Sequence, residues 1–420
     1  MVINLLKGGL ILIPFYELLL RVFPYTSVLT PDTRVAKEYV GIWLALIIGL
    51  TAIHFGVKRV RNKWLLVLMG YLLLSTRFAM RLPLVMNDVP NPHFGIWKPL
   101  FMALAFFLMF VGVQSIKFTR KNIDSLLSVM VWVGFAMSVY AIIQSFGIDQ
   151  FYFIKPHEMI GSVVNPQISG TLGQPTILGA FIAFLVPLGL YSKHRWRVIP
   201  MITAVCLTKS NMAIGAMVVS ILIYAVMIRP RFIYPLIVMI VLSGIMLRAN
   251  DIIPVDYIKA HHNGRFPVWK QVVHDWKNGP DSKVPARFSL TGIGLGRHIY
   301  VFPKNNPRKV SSIQLPNVFQ QAHNDPLQVL EELGLFGFII FMGSIITMMV
   351  VAFKAWLKLA DYQKTMIAAL MASFTCLFLN SLGMFVWQLG LFMFFTTVIV
   401  GLLHNKSILY KEELQCSRNY

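Results

Sequence analysis

Negative charge is scarce in this chain: 17 Asp and Glu stand against 38 Lys and Arg in 420 residues, a formal net charge of +21. Such an excess suits a nucleic-acid binder when the bases cover one face. Here they stand mostly in short groups between apolar runs, which is the pattern of membrane topology signals. Cysteine is rarer still. Cys206 and Cys376 fall in apolar runs and Cys416 in the tail, so no disulfide framework is implied. No Asp-x-Asp pair occurs, which counts against a nucleotide-sugar donor held by a metal. His261, His262 and His323 with Asp325 have neither HExxH nor any comparable close spacing, so no metal and no cofactor are expected. The glycines of TGIGLGR at 292, 294 and 296 lack the GxGxxG spacing and a strand–helix setting, which excludes a nucleotide loop. There is no serine nucleophile elbow. Acidic residues inside the apolar runs are also nearly missing, with Glu17 the main candidate, and ion-coupled transport usually needs them. No internal repeat of the transporter kind is evident.

What the chain has in quantity is apolar length. Hydrophobic residues make up 56% and charged residues 13%, more apolar surface than a soluble domain of this size needs. The expectation is an all-α polytopic membrane protein of about twelve transmembrane helices with a large external loop carrying short helices. The runs lie near 3–23, 39–56, 64–85, 95–116, 123–147, 175–192, 197–208, 211–228, 232–248, 333–353, 365–382 and 385–403. Lys7 stands inside the first, and no small-residue cleavage site follows it, so it reads as a retained span. Basic clusters follow alternate runs: Lys58 to Lys63, Lys117 to Lys121, Lys193 to Arg197, Arg229 with Arg231, and Lys354 to Lys364. The intervening short loops carry only Arg34, Lys37, Lys155 and Lys209. By the positive-inside rule both termini are cytoplasmic and the long loop is external. The expected division is therefore spans one to nine in 1–248, an external loop in 249–332, spans ten to twelve in 333–403, and a cytoplasmic tail in 404–420.

The external loop gathers five of the chain's ten histidines: His261, His262, His274, His298 and His323. It is basic without needing to be for topology, which points to an anionic ligand. Two helix starts stand out. Asp325, Pro326 and Gln328 read as an N-cap, a first-position proline and a capping box, which starts a helix at Pro326 and leaves His323 just ahead of it. Residues 267–276 have helical spacing with Gly279 beyond, which leaves Arg265 before a second helix start. Helix N-termini attract anions, so this pair of N-termini suits one anionic group between them. Arg77 and Arg81, spaced i, i+4 near the outer end of the third run, read either as snorkelling side chains or as a clamp for a phosphate.

Four pieces of sequence carry a family resemblance: GTLGQPTILGA from Gly170, GRFPVWKQV at 264–272, LTGIGLGRHIY from Leu290, and AHNDPLQVLEELGLFG at 322–337. In this order they resemble the O-antigen ligase and polymerase superfamily of bacterial surface-polysaccharide enzymes, over about Gly170 to Gly337. The last piece is similar to that family's His-Asn…Leu…Glu-x-Gly-x-x-Gly signature and is the most specific. The resemblance implies a glycosyltransferase of the GT-C membrane-helix type, an enzyme of the bacterial inner membrane working on its periplasmic side. Its implied partners are an undecaprenyl-pyrophosphate-linked glycan donor, a lipid A-core or glycan acceptor and the lipid bilayer, with no nucleic acid. Its implied catalytic residues are His323 as base and Arg265. Arg297 and Lys209, with Arg77 and Arg81 added on the strength of their own paired charge rather than of the resemblance, would bind the donor pyrophosphate, with Asn324, Asp325, Trp269 and Glu332 in support. One departure matters: family members often read Thr-x-Ser-Arg where this chain reads TKSN at 208–211, so Lys209 would have to replace an arginine missing at Asn211. Ligation to the lipid A core leads polymerisation, and transfer to protein or a transporter/flippase role stand further back.

Overall fold

The computed structural model describes residues 1–22, 33–54, 63–81, 92–148, 168–172, 174–229, 231, 265–278, 288–296, 298, 322–405 and 408. Among them every regular element is helical. In chain order these are α1 (Val2–Val22), α2 (Thr33–His54), α3 (Lys63–Arg81), α4 (Pro92–Ser115), α5 (Arg120–Ser145), α6 (Pro175–Tyr191), α7 (Val198–Leu207) and α8 (Asn211–Ile228). The loop contributes α9 (Arg265–Asn278) and the single turn α10 (Phe288–Thr291). Then come α11 (Asp325–Lys358), α12 (Asp361–Ser381) and α13 (Gly390–Leu403), with 3₁₀ turns at Arg195–Arg197 and Val386–Gln388. Eleven of the twelve apolar runs fall on α1–α8 and α11–α13; the run 232–248 lies outside the described residues. Among the described residues α5, α8, α11 and α12 are long and apolar enough to cross a bilayer, and several apolar helices are shorter.

Local chemistry explains the ends. Thr119 Oγ1 accepts from the Asn122 N–H at 3.3 Å to start α5. Pro175 stands in the first turn of α6, where its missing N–H leaves no gap in the helix ladder. Every residue of α6 from Ile177 to Gly189 is buried, so this helix is apolar all round and forms the centre of the bundle. It packs on α5, α7, α8 and α12. Phe181 meets Phe395 edge-to-face at 5.0 Å and Phe184 at 5.4 Å, so aromatic rings fill the gap between α6 and α13. Gly49 and Gly112 set the crossing of α2 and α4: a Cβ on Gly49 would lie 2.7 Å from Leu108, and one on Gly112 2.6 Å from Ala52. Outward faces remain apolar, with Trp43, Leu74, Ile346 and Leu357 all more than half exposed, as a lipid-facing surface requires.

Two helices fix which residues share an end. α11 holds 34 residues, but Gly334 breaks it with φ 67° and ψ −174°, leaving a short first piece and a long apolar piece. Running beside it, α3 is antiparallel: Trp64 lies against Gly343, whereas the Tyr71 hydroxyl donates to Leu333 O at 2.7 Å. Continuing α3 from Tyr71 therefore carries its last turns towards the level of Asp325. At that same end Asn324 Nδ2 donates to Leu382 O at 2.9 Å, just past the end of α12, and Met212 in the first turn of α8 packs on Gly383.

Candidate functional site

The start of α11 is built differently from the capping box expected. The N-cap is Asn324, not Asp325: its Oδ1 accepts from the Leu327 N–H at 3.1 Å, and the helix begins at Asp325. Asp325 is buried and faces away from that role. Its carboxylate accepts the Trp387 N–H at 3.0 Å and the Gln388 Nε2 at 3.4 Å, so it caps the 3₁₀ turn before α13 instead. Gln328 likewise serves another purpose, accepting the Ala322 N–H at 3.0 Å and donating to Glu332 at 3.0 Å. The physical reason is reach: Asn324 stands one residue earlier, where its amide oxygen meets the third helical N–H and its amide nitrogen finds Leu382 O. An aspartate in its place would leave that carbonyl without this donor.

These bonds fix both sides of His323, which is half-buried with φ 52° and its ring edge-to-face with Phe385 at 5.0 Å. Among the described residues only two non-glycine residues have positive φ, His323 and Lys209 at 54°. Left-handed backbone is unfavourable for side chains with a Cβ and persists where surrounding contacts overdetermine it. Lys209 is exposed in the turn between α7 and α8; Ser210 caps α8 by accepting the Ala213 N–H at 3.4 Å, and Asn211 is its first residue. Through Met212 and Gly383 this turn shares the end of the bundle that holds Asn324.

α9 is anchored to the same loop. Trp269 Nε1 donates to Ala322 O at 2.9 Å, and Val268, Val272 and Ala322 form a small core with Trp269 and Leu327. Arg265 is the first residue of α9 rather than a residue ahead of it, so its backbone opens a helix tied directly to the His323 loop. The Arg265 side chain lies outside the described residues, as do Arg297 and the stretch holding His261 and His262. Arg77 and Arg81 lie in the last turns of α3, on the backbone that approaches the Asp325 level; their side chains too lie outside the described residues. His274 is exposed on α9.

Glu332 is buried and holds the glycine loop. Its carboxylate accepts the Gly296 N–H at 2.9 Å and the His298 N–H at 3.2 Å, while its carbonyl accepts the Gly294 N–H at 2.8 Å. Close approach needs glycine on both sides: a Cβ on Gly292 would lie 2.2 Å from Glu332 O, and one on Gly334 2.4 Å from Gly292 N. Beside it, His298 Nδ1 and Glu331 Oε2 pair at 2.6 Å, both buried. Neither Glu331 nor Tyr71 is marked by the sequence, and Gln328 is marked there only as part of the cap. The signal present was the Glu-Glu dipeptide at the mouth of an apolar run, where two carboxylates require donors from elsewhere.

Below Phe385 lies a cavity of about 430 Å³ between α3, α4, α11 and α13. Leu68, Met102, Phe106, Phe110 and Val400 make its wall mostly apolar, with Thr396 and Thr397 among them, whereas Asp325, Gln328, Glu332 and Gln388 make one end polar. An amphiphile with a polar head and an apolar tail fits that gradient.

Three of the four motif pieces thus meet at one end of the bundle, through the Trp269–Ala322 bond and the hold of Glu332 on the glycine loop. Residues 196–342 match the family model described as O-Antigen ligase. No curated protein matches the chain.

Proposed function

From the match of residues 196–342 to the O-antigen ligase family model, we propose that the chain is a member of that superfamily and transfers a glycan from an undecaprenyl-pyrophosphate carrier to a sugar hydroxyl on the lipid A core. The observation that carries the reading is the strained His323 backbone, held between Asn324 and the Trp269 bond to Ala322, beside the apolar cavity. The cavity would take a length of prenyl chain, with the pyrophosphate at its polar end. Lys209, Arg77, Arg81 and Arg265 are the cations assigned to it in this reading, on elements whose ends lie on the His323 side of the bundle.

In the step proposed, the acceptor oxygen attacks the anomeric carbon and the bond from that carbon to the pyrophosphate oxygen breaks. The electron pair leaves with the pyrophosphate, and the acceptor proton passes to His323, histidine being the side-chain type suited to take a proton near neutral pH. Arginine and lysine neutralise the growing charge on the leaving group, Arg265 by a planar fork that grips two oxygens, so no metal enters. Direct displacement inverts the anomeric configuration. Asn324, Asp325, Trp269 and Glu332 act by holding His323 and the glycine loop in place. The site faces the periplasm, with both termini in the cytoplasm.

The test is transfer by purified variants with donor binding measured alongside. His323→Ala should lower turnover by about 10²–10⁴-fold with the donor still bound. Arg265→Lys should be poor although the charge is kept. In cells, His323→Ala should accumulate unligated polymeric glycan; acceptor capped with a single repeat would instead establish the second reading, a polymerase. Near-normal turnover by His323→Ala would remove His323 as the base.

A further inference from the structure

A second concave site, of about 1140 Å³, opens where α5 and α12 begin and α6 ends. α12 holds 21 residues, roughly 30 Å at 1.5 Å per residue, so this site and the Asn324 contact lie about one hydrocarbon thickness apart. It is strongly basic. Arg120 and Lys121 reach it from α5, and Lys193, Arg195 and Arg197 from the turn after α6, with His194 among them. Among the described residues only Asp124 and Asp361 oppose them on its lining. Asp124 is already engaged: it accepts the Tyr191 hydroxyl at 2.8 Å and the Tyr362 hydroxyl, and Arg120 Nε lies 3.9 Å away.

Arg197 differs from the other cations. It is 4% exposed, its guanidinium carbon stands 3.7 Å from the Trp132 ring centroid, and its Nε and Nη1 have no hydrogen-bond partner. Ser192 Oγ, also on the lining, is buried and unpaired too. Stacking on an aromatic ring offsets only part of what it costs to leave a buried charge without its hydrogen bonds. α12 adds to the demand, because its N-cap Ala360 supplies no side-chain acceptor for the first N–H groups.

We infer that this pocket binds a phosphate group, with Arg197 as its buried donor, Ser192 beside it, and the exposed Lys193 and Arg195 around the rim. The aromatic cluster on which Arg197 stacks, beside the pocket rather than on its lining, suits a phosphate carried on an anionic phospholipid. Trp132 and Trp196 are 46% and 53% exposed and are linked edge-to-face through Phe135 at 5.5 and 5.2 Å. Amphipathic rings of this kind gather at headgroup level. The inference stands apart from glycan transfer: it concerns the opposite end of α12 and none of the residues placed in that site.

The experiment uses the full chain in detergent, titrated with dioctanoyl phosphatidylglycerol, its phosphatidylcholine counterpart and inorganic phosphate. Phosphatidylglycerol should bind at least about tenfold tighter than phosphatidylcholine, and Arg197→Gln should weaken it about tenfold. Arg229→Gln, an exposed cation outside the pocket, should change nothing. Phosphate that competes in an Arg197-dependent way assigns the site to a soluble anion, and phosphate that fails to compete assigns it to lipid; both uphold a phosphate site. Equal binding of the two lipids with no Arg197-dependent phosphate binding overturns it, as does equal weakening by Arg197→Gln and Arg229→Gln. If Arg197→Gln does not fold, the exposed pair Lys193→Gln with Arg195→Gln replaces it, and unchanged binding there overturns the inference equally.

Discussion

His323 combines two properties that separate folding from chemistry. Its φ of 52° is unfavourable for a residue with a Cβ, while glycine adopts it freely. His323→Gly removes both the strain and the imidazole. The variant should unfold no earlier than the parent in detergent thermal melts, within about 1 kcal/mol, yet transfer glycan about 10²–10⁴-fold more slowly. A matching loss of stability would mean that the ring is held for packing against Phe385. Asn324 shows a related economy: one amide caps α11 and also ties it to the end of α12, a combination for which a carboxylate lacks the donor.

Between elements, the site depends on three joints. The first is Trp269 to Ala322, the bond that ties α9 to the His323 loop. Trp269→Phe keeps much of the ring packing and deletes the donor, leaving the carbonyl to be satisfied elsewhere. It should destabilise by about 1 kcal/mol and speed hydrogen exchange in 265–278 and around 322 while exchange in α5 and α6 stays unchanged. The second joint is the contact of Gly292 with Gly334. Gly334→Ala meets backbone at 2.4 Å and keeps φ at 67°, so neither rotamer change nor side-chain movement relieves it. A loss of about 1–3 kcal/mol from the backbone strain, with the steric overlap in addition, should appear as a lower melting temperature and poor yield. The third joint is Asp325 on the turn before α13, which links the loop to the last described helix.

At the scale of the whole molecule, the bundle separates two charged ends across an apolar middle. Reporter fusions check the direction in which it sits. Fusions after Lys63, Lys121 and Lys364 should report the cytoplasm, and one near Asn306 the periplasm. A cytoplasmic signal from Asn306 would overturn the topology and, with it, the side on which transfer is proposed to occur.

That the described elements are apolar helices, and roughly where they begin and end, was legible in the sequence, because apolar length and charge clustering are local properties. The position of His323 just ahead of a helix was legible for the same reason. The choice of cap was not: Asn324 and Asp325 are both good cap residues by type, and only contact with Leu382 and Trp387, about sixty residues away in sequence, assigns each its bond. Likewise, no local pattern marks Tyr71 as a partner of Leu333, or Arg197 as buried among basic neighbours that remain exposed. Hydrophobic patterning determined that the chain forms a bundle of apolar helices. Which buried polar group meets which carbonyl or carboxylate was decided only by tertiary packing, because such a group takes whatever partner the packed helices bring within about 3 Å.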